Sequence, residues 1–541
     1  MKIALLSSQH PTYDAPLWRR YDALYRGGEV FRERVQEFLP RNPMEPVEAY
    51  TARQQEAHYT SYAGPILDWF SAKVCAASLV VRATAPDSDD PAPLDDFYGH
   101  WKEDVDGAGT DLIDFVRARF TSALVKGRAW WLVEMADDGA PAPASRAEWE
   151  ARGLGDACLQ GLDNEQVLDF ETDQRGALLW AIVHTLETPR PSPLLPRSRV
   201  RETWRIFDRS DVETWACEYD PAEGQPRPED ARLEGRRPHG FARVPLVRMG
   251  FVGTGGVKVK GRAGAKPLSV ASGALEGFWL MRRLADPQVA HFRNSAALDW
   301  NIKRTCYAMP VFKLEDAERP PTMGAGYYIM IGAKESAEWI APPTQHLDVL
   351  AQRCEHLQQE VYRAANQMAQ GVNNNAAAVG RSGESKQADA SSTEVVLRVY
   401  GAICREAIEA TYSLLSEGRG EAVHWSIEGF DVFSVIDAGA VIDAVGKVRA
   451  LSIPSPTLTR ELFYKAADVL LPNADQPTKD AIREEIDAGV DAMVDLAEAE
   501  AGNGPESTPA QEAADAAEGI PSTRRPGEMA PSAPAPGKAA A

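Results

Sequence analysis

Apolar residues recur at Leu347, Leu350, Cys354, Leu357, Val361, Ala365 and Met368, in steps of 3, 4, 3, 4, 4 and 3. That spacing lays one narrow stripe along an α-helix, the kind of seam that packs helix against helix. The helix predicted over residues 345–369 runs into residues 371–392, a polar run of Asn, Ala, Gly and Ser with almost no apolar anchor. A second helix is predicted over 393–417, with Val396, Tyr400, Ile403, Ala407, Thr411 and Leu414 on one face and a favourable i,i+4 pair at Glu394 and Arg398. At 1.5 Å per residue it spans roughly 37 Å. A loop as long as 371–392 is uncommon inside a compact domain and is usually functional or disordered. The expectation is a mobile loop held out by two rigid helices.

Upstream, residues 14–83 read as helical, with Trp18, Tyr21, Leu24 and Tyr25 at helical spacing and Trp69, Phe70 and Val74 on a later face. An acidic, Pro-rich loop follows at 87–96, then a helix at 112–125 that Gly127 ends. The period then changes. Residues 129–135 (AWWLVEM) read as a buried strand with Trp130 and Trp131 sending one ring to each face. Further strands are predicted at 167–170, 178–186, 200–208, 212–219 and 244–252, with a hairpin loop or insertion at 220–240. Residues 253–266 are a basic, Gly-rich linker. A helix is predicted over 269–285, and a new one after a kink at Asp286-Pro287, with Val289, Phe292 and Ala296 on its face. Five prolines and short β-like runs at 309–314, 327–331 and 339–340 mark a small β insert over 303–343. A strand at 424–433 and helices at 438–451, 459–471 and 478–500 follow, and the tail from 501 is too poor in bulky apolar residues to fold.

Length and composition set outer limits. A chain of 541 residues that is 44% hydrophobic can bury a sizeable core, and its length alone suggests three or four domains. The net charge of -21 argues against gripping nucleic acid over the whole surface. It leaves room for nucleic acid that slides past a repelling wall. The first apolar run is too short for a secretory signal, and nothing reaches the ~18 apolar residues of a membrane span. The six cysteines make no C-x-x-C pair and read as reduced, buried thiols of a cytoplasmic protein.

Catalytic signatures are missing where they would be expected. Residues 255–262 (GGVKVKGR) lack the Lys and hydroxyl of a phosphate loop, because Arg262 and Ala263 follow Gly261. Residues 104–111 resemble part of a calcium loop without its spacing or distal Glu, and read as a capped turn. His356 and Glu360 lie at i,i+4 without a second His and read as a solvated face. The chain is therefore expected to be no enzyme and to need no cofactor or metal.

The order of elements resembles the portal proteins of tailed bacteriophages. The likeness is closest to a portal-like family with a long N-terminal wing, long catalogued only as a domain of unknown function. It rests on YDALYR (21–26) with EAYTAR (48–53), on DGAGTDL (106–112), on NEQVLDF (164–170) with GALL (176–179), and on RALSIPS (449–455) with Leu458 and Leu462. Their order along residues 15–500 carries the resemblance, rather than any one motif.

The resemblance implies an α+β portal fold with a mixed wing and a helical stem and crown. The wing is residues 1–265 with 393–436. The stem is 266–302 and 344–370, the clip 303–343, the tunnel loop 371–392, the crown 437–500 and the disordered tail 501–541. Portals form rings of about twelve subunits at one capsid vertex, by a head-to-tail interface that closes. Double-stranded DNA is packaged and ejected through the channel. The implied partners are a second copy of the chain, DNA, the terminase large subunit, the head–tail adaptor, and the major capsid and scaffold proteins. No membrane is implied. The implied location is the virion, after assembly in the host bacterial cytoplasm. Asn373, Asn374, Asn375, Arg381 and Lys386 are candidate DNA-facing residues, and Leu347, Leu350, Leu357 and Val361 candidate stem packing. Two alternatives stand beside this one: another virion structural or adaptor protein, and a nucleotide-handling enzyme. The alternative reading of the polar run is a disordered linker without DNA contact.

Overall fold

The computed structural model describes residues 6, 8–76, 79–85, 96–137, 143–188, 199–220, 230–252, 256–258, 269–271, 275–305, 309–313, 336–340, 345–368, 383–430, 433, 446, 455–471 and 476–502. They form a mixed α+β protein. Five helices open it: α1 (Ala15–Arg26), α2 (Gly28–Arg32), α3 (Val35–Phe38), α4 (Val47–Glu56) and α5 (Ala63–Cys75). The Asp14 side chain caps α1 by accepting from the Leu17 N–H. The helical reading of 14–83 ends at Cys75. Val80–Thr84 is instead a strand, β1, paired antiparallel with His424–Glu428. Its β-branched residues suit a pleated surface, but its partner lies far away in the sequence, so local periodicity cannot reveal it.

After α6 (Asp96–Trp101) comes α7 (Leu112–Lys126). Asp104 and Asp106 in the turn before α7 spend their carboxylates on the backbone N–H groups of Gly109, Ala108 and Thr110, so the calcium-like run is a capped turn. The Asp111 carboxylate accepts from the Asp114 N–H at 2.7 Å and caps α7. Gly127 ends the helix at φ 84°, a left-handed conformation that favours glycine. Asp111→Ala should cost about 1 kcal/mol, read as a lower midpoint in urea at unchanged slope.

The sheets are antiparallel. Strand β2 (Arg128–Met135) is the centre of a three-stranded sheet, between β3 (Ala157–Leu162) and β9 (Leu246–Gly250). The short helix α8 (Arg146–Ala151) lies between β2 and β3 in the sequence. A five-stranded meander holds β4 (Val167–Thr172), β5 (Leu178–Glu187), β6 (Val200–Phe207), β7 (Asp211–Tyr219) and β8 (Arg232–Pro238) in order. Strands β3 and β8 escape the sequence pattern. Every residue of β8 is exposed, so it has no apolar alternation to read. Part of the predicted insertion at 220–240 is thus the edge strand of a sheet.

The two adjacent tryptophans behave as the period-2 rule demands. Trp130 packs with Leu162, Phe170, Val183 and Leu246 in the core between the two sheets. Trp131 points the other way, into a core shared with Phe115, Val133 and the helices, where its indole N–H donates to Thr411 Oγ1 at 3.1 Å. That helical core runs continuously from Tyr21 to Phe433. It makes residues 1–435 one compact unit, with 436–541 a second, where length alone suggested three or four domains.

Residues 256–258 (β10) pair with 269–271 (β11), so part of the predicted linker is a short hairpin and no helix begins at Ser269. The helix α9 (Leu280–Thr305) begins later and runs unbroken through Pro287. The predicted break at Asp286-Pro287 therefore does not occur. Leu280, Met281, Leu284 and Ala285 before it, and Val289, Phe292 and Ala296 after it, are all buried in one core. A proline inside a helix costs about 3 kcal/mol, and each fully buried large apolar side chain returns roughly 1.5–3 kcal/mol, so burial wins.

The small β insert is present as an antiparallel ladder of β12 (Met309–Lys313) with β13 (Ser336–Ile340). Helix α10 (Gln345–Met368), helix α11 (Gly383–Arg419) and β14 (His424–Glu428) complete the first unit. The second unit contains α12 (Pro456–Leu470) and α13 (Gln476–Gly502). The Ser455 side chain caps α12, and the two helices are joined by Arg460 with Asp487 and Asp491 and by Tyr464 with Asp487. The predicted loop at 87–96 and tail from 501 are described only at one end each, where Asp96 opens α6 and residues 501–502 close α13, so both are shorter than read; the strand at 327–331 and the helix at 438–451 fall outside the described residues, save Gly446, which is helical. Among the described cysteines, Cys75, Cys217 and Cys404 are buried, Cys354 is half-buried and Cys158 is exposed, so burial is not uniform as expected; all five are free thiols.

Candidate functional site

Helices α9 and α10 form the most distinctive assembly in the first unit. Tyr62 touches the His291 ring at 5.0 Å and the Tyr362 ring at 6.0 Å, which sets residues 291 and 362 at one level. The Cys354 thiol is raised in pKa by burial and then by the Asp299 carboxylate, which sets 354 beside 299. As one number rises the other falls, so the helices are antiparallel, with the β12–β13 ladder connecting their far ends in sequence.

Burial changes along this pair. On α10, Leu357, Val361 and Ala365 are at most 2% exposed, whereas Leu347, Leu350 and Cys354 are only half-buried. On α9, residues 284–296 supply the buried face, and from Ala297 to Asn301 every residue is half-buried, with Ile302 exposed. The predicted seam is therefore real as a helix–helix contact, closed at the base and half-open towards the β ladder. Of the four packing candidates, Leu357 and Val361 sit in the closed part and Leu347 and Leu350 in the half-open part.

The base is fixed to the opening helices by polar contacts that periodicity cannot show. The Gln288 carboxamide oxygen accepts from the Tyr62 and Ala63 N–H groups at 3.0 and 3.3 Å, and its nitrogen donates to the Thr60 carbonyl at 2.8 Å. This meets the N-terminal donors of α5, which have no intrahelical partner. Arg293 Nε donates to the Phe38 carbonyl at 2.7 Å. Phe292 meets Phe31 and Tyr59 edge-on, and those two rings stack at 3.8 Å. Burial lowers the pKa of His291, favouring its neutral form at this base.

Helix α11 is anchored equally firmly. The Tyr400 hydroxyl donates to the Phe278 carbonyl at 2.9 Å, and its ring meets Phe70, Phe120 and Phe251. The whole predicted stripe from Val396 to Leu414 is buried, and Glu394 bonds Arg398 at 2.7 Å. One boundary is corrected. Gly383–Ser392 is helical, so the polar run ends ten residues earlier than predicted and Lys386 lies on α11 rather than on a loop. Helix propensity explains this, since Glu384, Lys386, Gln387, Ala388 and Ala390 are good or tolerable helix formers and extend an already anchored helix. The extended helix has 37 residues, about 56 Å. Asn373, Asn374, Asn375 and Arg381 fall outside the described residues.

Other chemistry is sparse. Among the described residues no group of three His, Cys, Asp or Glu side chains is placed to hold a metal ion. His356 is exposed, with Nδ1 3.4 Å from an Arg353 guanidinium nitrogen, as a solvated face predicts. No helix of the described residues is long and apolar enough to cross a membrane.

No curated protein matches the chain. Residues 281–411, which span α9, the β12–β13 ladder, α10 and most of α11, match the family model described as Domain of unknown function (DUF4055).

Proposed function

We propose that this chain is the portal protein of a tailed bacteriophage, a conduit without catalytic residues through which double-stranded DNA passes into and out of the capsid. The observation that carries the reading is the antiparallel pair α9–α10, closed at its base and half-open along the seam towards the β ladder. A half-open apolar seam on a long helical pair is suited to neighbours in a ring, since a head-to-tail interface repeated around an axis closes. In this reading α9 and α10 are the stem, β12–β13 the clip, the α+β body with α11 the wing, and the second unit the crown. The Asn-rich segment between α10 and α11 is the tunnel loop. The net charge of -21 favours sliding of DNA over sticking, because few lasting phosphate contacts form. Terminase and then the head–tail adaptor would dock on the clip.

Negative-stain images of the purified full chain test the reading. Rings with an axial hole and about twelve lobes are expected. Monomers or filaments at all concentrations would count against it, and unaided ATP hydrolysis would favour an enzyme. The half-open seam adds a sharper expectation. Leu347→Ser with Leu350→Ser should cut ring yield several-fold on size-exclusion chromatography with light scattering. The monomer should lose only about 1–2 kcal/mol, because both side chains are half-buried. Unchanged ring yield would remove the seam from the interface.

A further inference from the structure

Arg128 and Arg248 are packed on one sheet face, and among the described residues no carboxylate pairs with either. Arg128 opens β2 and is 2% exposed; Arg248 lies on β9, half-buried, directly across from Trp130. Because Arg128 and Trp130 are two apart on β2, both guanidiniums leave the same face of the sheet, at one end of the core between the two sheets. Gly250 keeps the strands tight there, since a Cβ on it would lie 2.6 Å from the Arg128 Cα.

The contacts answer only part of this charge. Arg128 donates to the Thr12 hydroxyl at 2.7 Å and carbonyl at 3.0 Å, and its guanidinium lies over the Trp18 and Phe170 rings at 5.0 and 5.6 Å. Arg248 donates to the Val252 carbonyl at 3.3 Å. The neighbouring His10 supplies no negative charge, and its Nδ1 already accepts from the Thr12 N–H. Among the described residues neither arginine is in an ion pair. Burial, and then the Arg248 charge, hold the Arg128 guanidinium down at about 9, while burial alone lowers Arg248. A buried guanidinium beside a second, half-buried one is costly without a counter-charge, and an anion bound to both relieves the burial and the repulsion together.

We propose that Arg128 and Arg248 form a binding site for a free phosphate-class oxyanion at the end of the sheet–sheet core. Guanidinium forks match the geometry of such an ion and bind it more strongly than neutral donors do. The near-complete burial of Arg128 excludes a nucleic-acid backbone lying across it and restricts the ligand to a small ion.

The test compares the full chain with Arg248→Met in sodium phosphate and in sodium chloride at matched ionic strength. Calorimetric titration of the wild type with phosphate is expected to saturate at one ion per chain, and its melting midpoint should rise and then level. Arg248→Met should lose both responses, and in chloride it should melt no lower than the wild type, because one of two like charges is gone. An equal phosphate response in both proteins would be general salting-out and would overturn the site. So would a variant that melts clearly lower in chloride. If the variant does not fold, the wild-type titration decides alone: no saturable heat at millimolar phosphate rejects the proposal.

Discussion

Gly401→Ala should destabilise the first unit by about 3 kcal/mol or more, although alanine is the better helix former. Gly401 lies in the middle of α11, where a Cβ would sit 1.8 Å from the Phe430 carbonyl oxygen and 2.9 Å from its carbonyl carbon. Both partners are backbone, so no side-chain rotamer relieves the overlap. The turn that presses on α11 is itself specialised. Phe430 has φ 57°, the one positive value for a non-glycine among the described residues, after Gly429 at φ 108°. Holding a phenylalanine there costs of order 1–3 kcal/mol, offset by burying its ring at 1% exposure. The alanine would gain about 1 kcal/mol of helix propensity, too little to compensate. The check is urea unfolding, with a lower midpoint at unchanged slope. A variant as stable as the wild type would mean that α11 and the turn do not approach this closely.

Arg419→Ala should lose about 3–5 kcal/mol, the range for removing one partner of a buried charge pair. Arg419 is 6% exposed and ends α11. Its Nε donates to Glu421 at 2.8 Å, its Nη1 to the Gly155 carbonyl at 3.0 Å, and its guanidinium stacks on Phe97 at 4.0 Å. Its own carbonyl accepts from Arg146 at 2.5 Å, and Glu421 also accepts from the Tyr98 hydroxyl at 2.5 Å. Burial first, and then the Glu421 carboxylate, raise the Tyr98 pKa. One side chain thus ties α6, α8, the start of β3 and the end of α11 together. Arg419→Lys should recover only part of the loss, since an ammonium keeps the charge but not the planar fork. Thermal unfolding checks both variants. A loss under about 1 kcal/mol for Arg419→Ala would place the energy in the surrounding rings instead.

What was legible in the sequence was whatever a short window contains. The cap at Asp111 and the stop at Gly127 bound α7 as read, because both act within one helical turn. The alternation of Trp130 and Trp131, the closed part of the seam on α10 (Leu357, Val361 and Ala365) and the buried stripe of α11 also held, since each repeats at the period of its own element. The misses share a cause. Continuity of α9 through Pro287 depends on a core lent by other helices. Helix at Gly383–Ser392 depends on an anchor further along α11. The contacts of Gln288 and the closeness of Gly401 to Phe430 leave no local signal at all.

By itself the sequence determined the long helices, the strands that alternate or are wholly apolar, the apolar faces of both, and that a helical pair brackets a small β insert. Those properties follow from backbone periodicity and the water-avoidance of side chains. Only the tertiary structure decided that β1 pairs with β14, that α9 survives its proline, that the seam closes at Leu357 and Val361 but stays half-open at Leu347 and Leu350, and that Arg128 and Arg248 share one sheet face with no ion pair to either among the described residues. Each of those depends on what distant segments bring to a residue, and burial free energies of several kcal/mol overrule local preferences of about one.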